Sequence, residues 1–200
     1  MPTGTPAQGS LTLRVLTAWA DMGASMRWLM GLRPSESAIL MLIMMSGAFH
    51  FLGSLARLWL APGTAEMAEG ELLSRVGAEF AGALIFRTLA LYGLAMLGHW
   101  LARAFNGTGS GRDSRAAMAW AALVAAPVTL VFTLAGLTVG PMIGPEAAAV
   151  MLQIGPLLLA FALSQCFSEV HGFTRPWAVL GVIAVLVFVL IAGLQALVRL

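Results

Sequence analysis

The sequence contains no lysine, a single cysteine and a single tyrosine, and only 10% of its 200 residues are charged. A soluble domain usually carries about 25% charged residues, and a globule of this size still needs a polar surface. Here 60% of the residues are hydrophobic. These proportions exclude a soluble enzyme, a disordered chain and a secreted disulfide-linked domain. They predict an all-α integral membrane protein.

The few polar residue types limit the chemistry of the chain. All 11 basic residues are arginine, which is typical of GC-rich bacterial genomes, and their scatter along the chain gives no reason to expect a nucleic-acid partner. The lone Cys166 excludes an intramolecular disulfide and a cysteine-based metal site. The three histidines His50, His99 and His171 have no ligand-type partner at helical spacing. We therefore expect no metal, no cofactor and no catalytic residues.

Five apolar stretches follow the N-terminal segment, and each is close to the ~20 residues that cross ~30 Å of hydrocarbon as a helix. They predict transmembrane spans near 38–57, 80–102, 117–139, 147–167 and 177–198. The fourth contains Pro156, which predicts a kink. The chain is accordingly divided into a flexible N-terminus (1–10), an amphipathic helix (11–33) and a five-span transmembrane domain (34–200).

The segment 11–33 has apolar residues at helical spacing, which indicates an amphipathic helix. Met22, Met26 and Leu29 lie on its apolar face, with Trp19 beside them. An apolar face accompanied by Trp and Arg suits a helix lying in the membrane interface. Packing of the same face on the protein's own helices explains the pattern equally well, and both interpretations stay open.

Arginine is distributed unevenly between the two sides of the five predicted spans. Seven arginines fall on the side of the N-terminus and three on the opposite side: Arg14, Arg27, Arg33, Arg103, Arg112, Arg115 and Arg175 against Arg57, Arg75 and Arg199. Loops rich in arginine stay in the cytoplasm. The pattern predicts a multi-pass protein of the bacterial inner membrane with a cytoplasmic N-terminus and a periplasmic C-terminus.

The glycine run Gly107-Thr108-Gly109-Ser110-Gly111 could be taken for a phosphate-binding loop. That interpretation fails because no Gly-Lys-Ser/Thr follows the run and no strand precedes it. We predict that this run is a flexible linker.

Arg87 is the most informative single residue, because an ionisable group inside a span is costly and is a functional candidate by default. His50 and Arg57 on the first span fall at broadly similar depth, and Glu79 lies two turns before Arg87. The hypothesis is a polar cluster of His50, Arg57, Glu79 and Arg87 in the outer half of the first two spans. The alternative is that Arg87 reaches the interface or makes one structural hydrogen-bonded pair.

Three short motifs resemble the bacterial form of the Yip (Ypt/Rab-interacting protein) family of five-span membrane proteins. They run from Met26 to Pro34 (MRWLMGLRP), from Gly111 to Ala117 (GRDSRAA) and from Glu169 to Phe173 (EVHGF). The resemblance covers roughly residues 20–198. It implies an all-helical membrane protein with a cytoplasmic N-terminus and an external C-terminus, and it brings no catalytic residues. Eukaryotic members contact small GTPases in vesicle formation, but bacteria lack that machinery, so this partner is not carried over.

These observations leave several functions open. The leading one is a non-enzymatic membrane protein that organises the lipid bilayer, other membrane proteins or its own copies through helix–helix and helix–lipid contacts. An accessory subunit of a larger inner-membrane complex, such as an energy-transducing one, comes second. A small oligomeric transporter or channel comes third, because no inverted repeat is visible. A membrane-embedded enzyme comes last.

Overall fold

The computed structural model describes residues 10–60 and 67–198, and for these residues the prediction of an all-α protein is confirmed. The predicted flexible segment 1–10 lies almost wholly outside the described residues. A 3₁₀ turn (Ala18–Ala20) follows the first helix, and a π-helical turn (Gly82–Phe86) joins the fourth helix to the fifth. The helices are α1 (Leu11–Thr17), α2 (Met22–Gly31), α3 (Glu36–Leu60), α4 (Glu69–Ala81), α5 (Arg87–Ala104), α6 (Gly111–Thr138), α7 (Gly140–Ile143), α8 (Pro145–His171) and α9 (Pro176–Val198).

Four helical segments are long and apolar enough to cross a membrane, and they coincide with the first four predicted spans. They are Glu36–Leu60, Glu69–Ala104, Gly111–Thr138 and Pro145–His171. The fifth predicted span falls on α9, whose described side chains include the apolar stretch Pro176–Val189. A fifth crossing stays a prediction.

The second apolar helix begins at Glu69, about three turns before the predicted start near residue 80. With its π-helical turn it continues for 36 residues, or ~54 Å at ~1.5 Å per residue, which exceeds the ~30 Å of a bilayer core. The charged residues of α4 hid this extension from hydropathy. Arg75 Nη2 bonds Glu71 Oε1 at 2.8 Å on the exposed surface of this helix.

Helix α6 forms the centre of the bundle. Every residue from Ala116 to Ala126 is buried, and seven of these eleven residues are alanine. Side chains as small as alanine allow neighbouring helices to approach closely, which is the usual basis of helix packing in lipid. Helices α3, α5 and α8 all pack against α6, and α1 and α2 contact it at one end.

The long helices are antiparallel to their chain neighbours, so the bundle has two distinct ends. We call the end with Glu36, Gly111 and His171 the head end, and the end with Leu60 and Pro145 the far end. The N-terminal helices lie at the head end. There Trp120 Nε1 of α6 donates a hydrogen bond to Ser25 Oγ of α2 at 3.0 Å.

The apolar face of the N-terminal segment packs on the bundle. Met22, Met26 and Leu29 are buried, and Trp19 stacks on Phe161 of α8 with ring centroids 6.5 Å apart. Of the two interpretations left open by the sequence, these contacts favour packing on the protein's own helices for this face. The polar face of α2 stays exposed, with an Asp21 side chain capping the helix.

Gly47 lies at a close approach between α3 and the second apolar helix. A Cβ atom at Gly47 would lie 2.8 Å from the carbonyl oxygen of Ala83 and 2.9 Å from Leu84 Cδ2. Such an approach is open only to glycine, because the backbone oxygen cannot move aside as a flexible side chain could.

We expect Gly47→Ala to destabilise the protein by about 1–3 kcal/mol, the usual cost of overpacking a tight contact. Gly93→Ala on α5 is the matched control, since nothing lies within 4 Å of the position that its added methyl group would occupy. It should leave stability unchanged or raise it by up to about 1 kcal/mol through helix propensity. Thermal unfolding of the detergent-solubilised protein measures both, and equal melting temperatures would contradict the tight contact.

Candidate functional site

Arg87 begins α5 directly after the π-helical turn Gly82–Phe86. Such a turn shifts the angular position of the residues that follow, and π-helical turns are frequent at functional sites. Arg87 Nη1 donates a hydrogen bond to Ser46 Oγ of α3 at 2.8 Å. Ser46 Oγ in turn donates to the carbonyl oxygen of Ile43 at 2.7 Å, which fixes the serine as an acceptor for the guanidinium group.

Arg87 lies in the wall of a cavity of about 310 Å³ between α3, α5, α6 and α8. His50 and Arg57 line the same cavity, which we call the basic cavity. Four hydroxyl-bearing residues complete its polar lining: Ser46, Ser54, Thr129 and Thr133. No carboxylate is among the described residues that line it.

Three members of the predicted polar cluster, His50, Arg57 and Arg87, thus share one cavity. Glu79 is absent from its lining, yet it is near enough to interact electrostatically with His50, as are the two arginines. The structural alternative for Arg87 also has support, because its hydrogen bond to Ser46 ties two helices together.

The basic cavity extends through the far half of the bundle. Ser46 lies ten residues after Glu36 on α3, or ~15 Å along the helix axis, and Arg57 lies ~16 Å beyond Ser46. Arg57 is exposed and is three residues from the end of α3. The cavity therefore runs from the middle of the bundle to its far end.

Pro156 of α8 adds a backbone acceptor to this region. A proline inside a helix cannot donate to the carbonyl four residues earlier, which here belongs to Leu152. Leu152 and Pro156 both line the basic cavity. The proline thus leaves one carbonyl of the cavity wall without its helical partner.

The head end is held by contacts among the three motifs that carry the family resemblance. Arg27 Nη1 of the first motif bonds Glu169 Oε2 of the third at 2.7 Å. Arg112 of the second motif donates to the carbonyl oxygen of Pro34, and Arg115 pairs with Glu36 at the start of α3. Motifs that lie far apart in the sequence therefore meet at one place.

The glycine run at 107–111 is not a free linker, so that prediction is wrong. Gly107 and Gly109 are buried, and the Thr108 amide donates to the carbonyl oxygen of His171 at 3.1 Å. A Cβ atom at Gly107 would lie 2.8 Å from the Ala102 carbonyl oxygen, and one at Gly109 would lie 2.7 Å from Val170. Glycine is required at both positions because Gly107 lies against the backbone of α5 and Gly109 against the backbone of α8.

Ser114 and His171 form an arrangement that sequence spacing did not reveal. Ser114 Oγ lies 2.9 Å from His171 Nε2 and 3.4 Å from His99 Nδ1. Both Ser114 and His171 are at most 1% exposed, so no substrate reaches the hydroxyl. His171 Nδ1 has no hydrogen-bond partner among the described residues, whereas a catalytic histidine is oriented through this atom. We interpret the pair as part of the packing of the head end.

The packing of the glycine run 107–111 against α8 can be tested by substitution. Gly109→Ala should loosen the loop, because the added Cβ atom would lie only 2.7 Å from the Val170 carbonyl oxygen. Overpacking of this kind costs about 1–3 kcal/mol. Hydrogen exchange at the Thr108 amide should then accelerate by roughly tenfold or more.

Gly111→Ala is the control for this substitution, since its added methyl group would have no neighbour closer than 3.7 Å. It should leave exchange at Thr108 unchanged. Fast exchange at Thr108 in the unmodified protein would show that the loop is a free linker after all.

Comparison with known proteins adds no relative: no family model, no curated protein and no solved structure matches the chain. The Yip resemblance accordingly rests on its three motifs alone.

Proposed function

We propose that the chain is a non-enzymatic integral membrane protein that organises the bilayer or membrane-protein partners around it. In this proposal it crosses the bacterial inner membrane five times, with the head end in the cytoplasm and the far end in the periplasm. The four long apolar helices support membrane insertion. The arginine distribution supports the orientation, and the Yip resemblance of the three head-end motifs supports the architecture.

The observation that carries the proposal is an apolar groove of about 890 Å³ along the outside of α5, α8 and α9. Leucine, isoleucine, valine and phenylalanine dominate its walls, and Leu91, Leu159 and Val182 are representative. Water in such a groove would gain little from hydrogen bonding, whereas hydrocarbon fits its chemistry. The groove can hold a lipid acyl chain or a partner helix along the outside of α5, α8 and α9.

The charge at one end of the groove favours a phospholipid as its occupant. Arg175 is the one charged residue among the described residues of the lining, and it lies beside Thr174 at the head end. A guanidinium group at the interface binds a phosphate group well, while acyl chains would follow the apolar walls toward the far end. The groove therefore matches an anionic phospholipid of the cytoplasmic leaflet.

A second candidate, an accessory subunit of a larger membrane complex, has its own support. Among the described side chains of α9, none is buried, and Trp177 and Phe188 are exposed large aromatic residues. A partner helix could cover this surface as well as lipid does. The transporter alternative is less well supported, because the basic cavity reaches only to Ser46 on α3 while the head end is densely packed.

The groove is tested by filling it. Val182 lines the groove, whereas Val185 on the same helix is exposed and lies outside it. We expect Val182→Trp to reduce the phospholipid that co-purifies in mild detergent, because the indole occupies the space of an acyl chain. Val185→Trp should retain lipid as the unmodified protein does. Lipid extraction and mass spectrometry measure the molar ratio of phospholipid to protein.

The same purification from native membranes separates the candidates. A defined lipid ratio that falls in Val182→Trp supports the lipid-organising proposal. A fixed-ratio complex with other proteins that Val182→Trp dissolves, with no bound lipid, would favour the accessory subunit instead. If neither lipid nor protein binding differs between the two tryptophan variants, the groove has no role in function.

A further inference from the structure

The basic cavity concentrates positive charge, and no carboxylate lines it in the part of the chain that the structure describes. Arg57 and Arg87 both line it, together with His50. The ion pairs among the described residues join Arg27 with Glu169, Arg75 with Glu71 and Arg115 with Glu36, so neither cavity arginine takes part in one. With Glu79 counted as a neighbour, two arginines still face one carboxylate.

An arginine in an apolar bundle is costly unless its charge and its N–H groups find partners. The guanidinium group has five N–H donors, and Arg87 donates one hydrogen bond to a described residue, Ser46. That serine is neutral, so it satisfies a donor without balancing the charge. Arg87 also lines the basic cavity, so a ligand bound there would lie beside its guanidinium group.

The lining selects the class of ligand. Two guanidinium groups repel a cation, and a neutral ligand would leave the charge unbalanced. An oxyanion accepts several N–H bonds at once, and arginine matches phosphate and carboxylate geometry. The hydroxyl groups of Ser54 and Thr133, which are buried residues in the same lining, can add donors to the remaining oxygen atoms.

We propose that the basic cavity is a binding site for an oxyanion, a phosphate or carboxylate group, that enters from the far end of the bundle. Arg57 at the mouth captures the anion, and Arg87 holds it deeper against Ser46. The headgroup of an anionic phospholipid and a free inorganic or organic anion share this chemistry. Pro156 and Leu159 border both this site and the apolar groove, but the charged residues that line the two are different.

The test measures anion-dependent stabilisation, because a ligand that binds only the folded state raises its melting temperature. The purified protein is titrated with inorganic phosphate in a neutral detergent, and separately reconstituted in nanodiscs of phosphatidylcholine with or without phosphatidylglycerol. We expect a saturable rise in melting temperature in at least one series. A rise with phosphate identifies a free-anion site, and a rise with phosphatidylglycerol alone identifies a lipid headgroup site.

Three arginine variants assign the effect to the cavity. Arg57→Gln removes an exposed group at the mouth and should fold normally, and it should weaken apparent binding roughly tenfold or more, as expected for loss of a charge-assisted hydrogen bond. Arg87→Gln should abolish the stabilisation. Arg75→Gln is the matched control, since Arg75 is exposed, bonds Glu71 and lies outside the cavity, and it should bind as the unmodified protein does.

The proposal is overturned if neither phosphate nor phosphatidylglycerol stabilises the unmodified protein. It is also overturned if Arg57→Gln and Arg75→Gln respond alike, because the effect would then reflect net surface charge. If Arg87→Gln fails to fold, the comparison of Arg57→Gln with Arg75→Gln still tests whether the anion binds in the basic cavity. Val182→Trp should show the same anion-dependent rise in melting temperature as the unmodified protein. The experiment therefore distinguishes failure of the groove proposal from failure of the anion-site proposal.

Discussion

Close packing of small side chains around α6 is the constraint on which the rest of the structure depends. The run from Ala116 to Ala126 is buried on all sides, and alanine at these positions lets three long helices reach the same central helix. Helix association in lipid has no hydrophobic driving force, so it relies on such close van der Waals contact. A larger residue in place of one of the buried alanines would push a neighbouring helix outward.

The two ends of the bundle differ in how closely their helices pack. At the head end, Trp120 and Met26 fill the space between α6 and the N-terminal helices, and the ion pairs of Arg27 and Arg115 close the surface. In the far half, the helices separate around the basic cavity, where Pro156 weakens the regular hydrogen bonding of α8. One helix bundle thus combines a densely packed head end with a far half that contains the basic cavity.

Hydropathy was sufficient to place the long helices, because an uninterrupted apolar run such as 117–139 has few other structural solutions. It missed the first part of the second apolar helix, since Glu69, Glu71 and Arg75 lower the local hydropathy while still forming a good helix. The choice between lipid and protein for the face of Met22 and Met26 could not be made either, because both environments accept the same apolar stripe.

The residues of the basic cavity could be predicted only in part from the sequence. The sequence predicts broadly similar depths for His50, Arg57 and Arg87. In the structure Arg87 bonds Ser46 and Arg57 lies ~16 Å farther along α3, yet all three residues line one cavity. The bond from Arg87 to Ser46 depends on the rotation introduced by the π-helical turn, which no residue pattern predicts. The docking of the glycine run depends on His171, more than sixty residues away, and becomes visible only when the fold brings them together.

Cysteine labelling tests most directly whether the head end and the far end lie on opposite sides of a membrane. Gly31→Cys places a thiol at the exposed head end, Met142→Cys places one at the exposed far end, and the native Cys166 is buried and serves as the baseline. With a membrane-impermeant maleimide on intact spheroplasts, we expect labelling of Met142→Cys and none of Gly31→Cys until the membrane is opened. Labelling of both thiols on the same intact side, or of Gly31→Cys alone, would contradict the proposed crossing and its orientation.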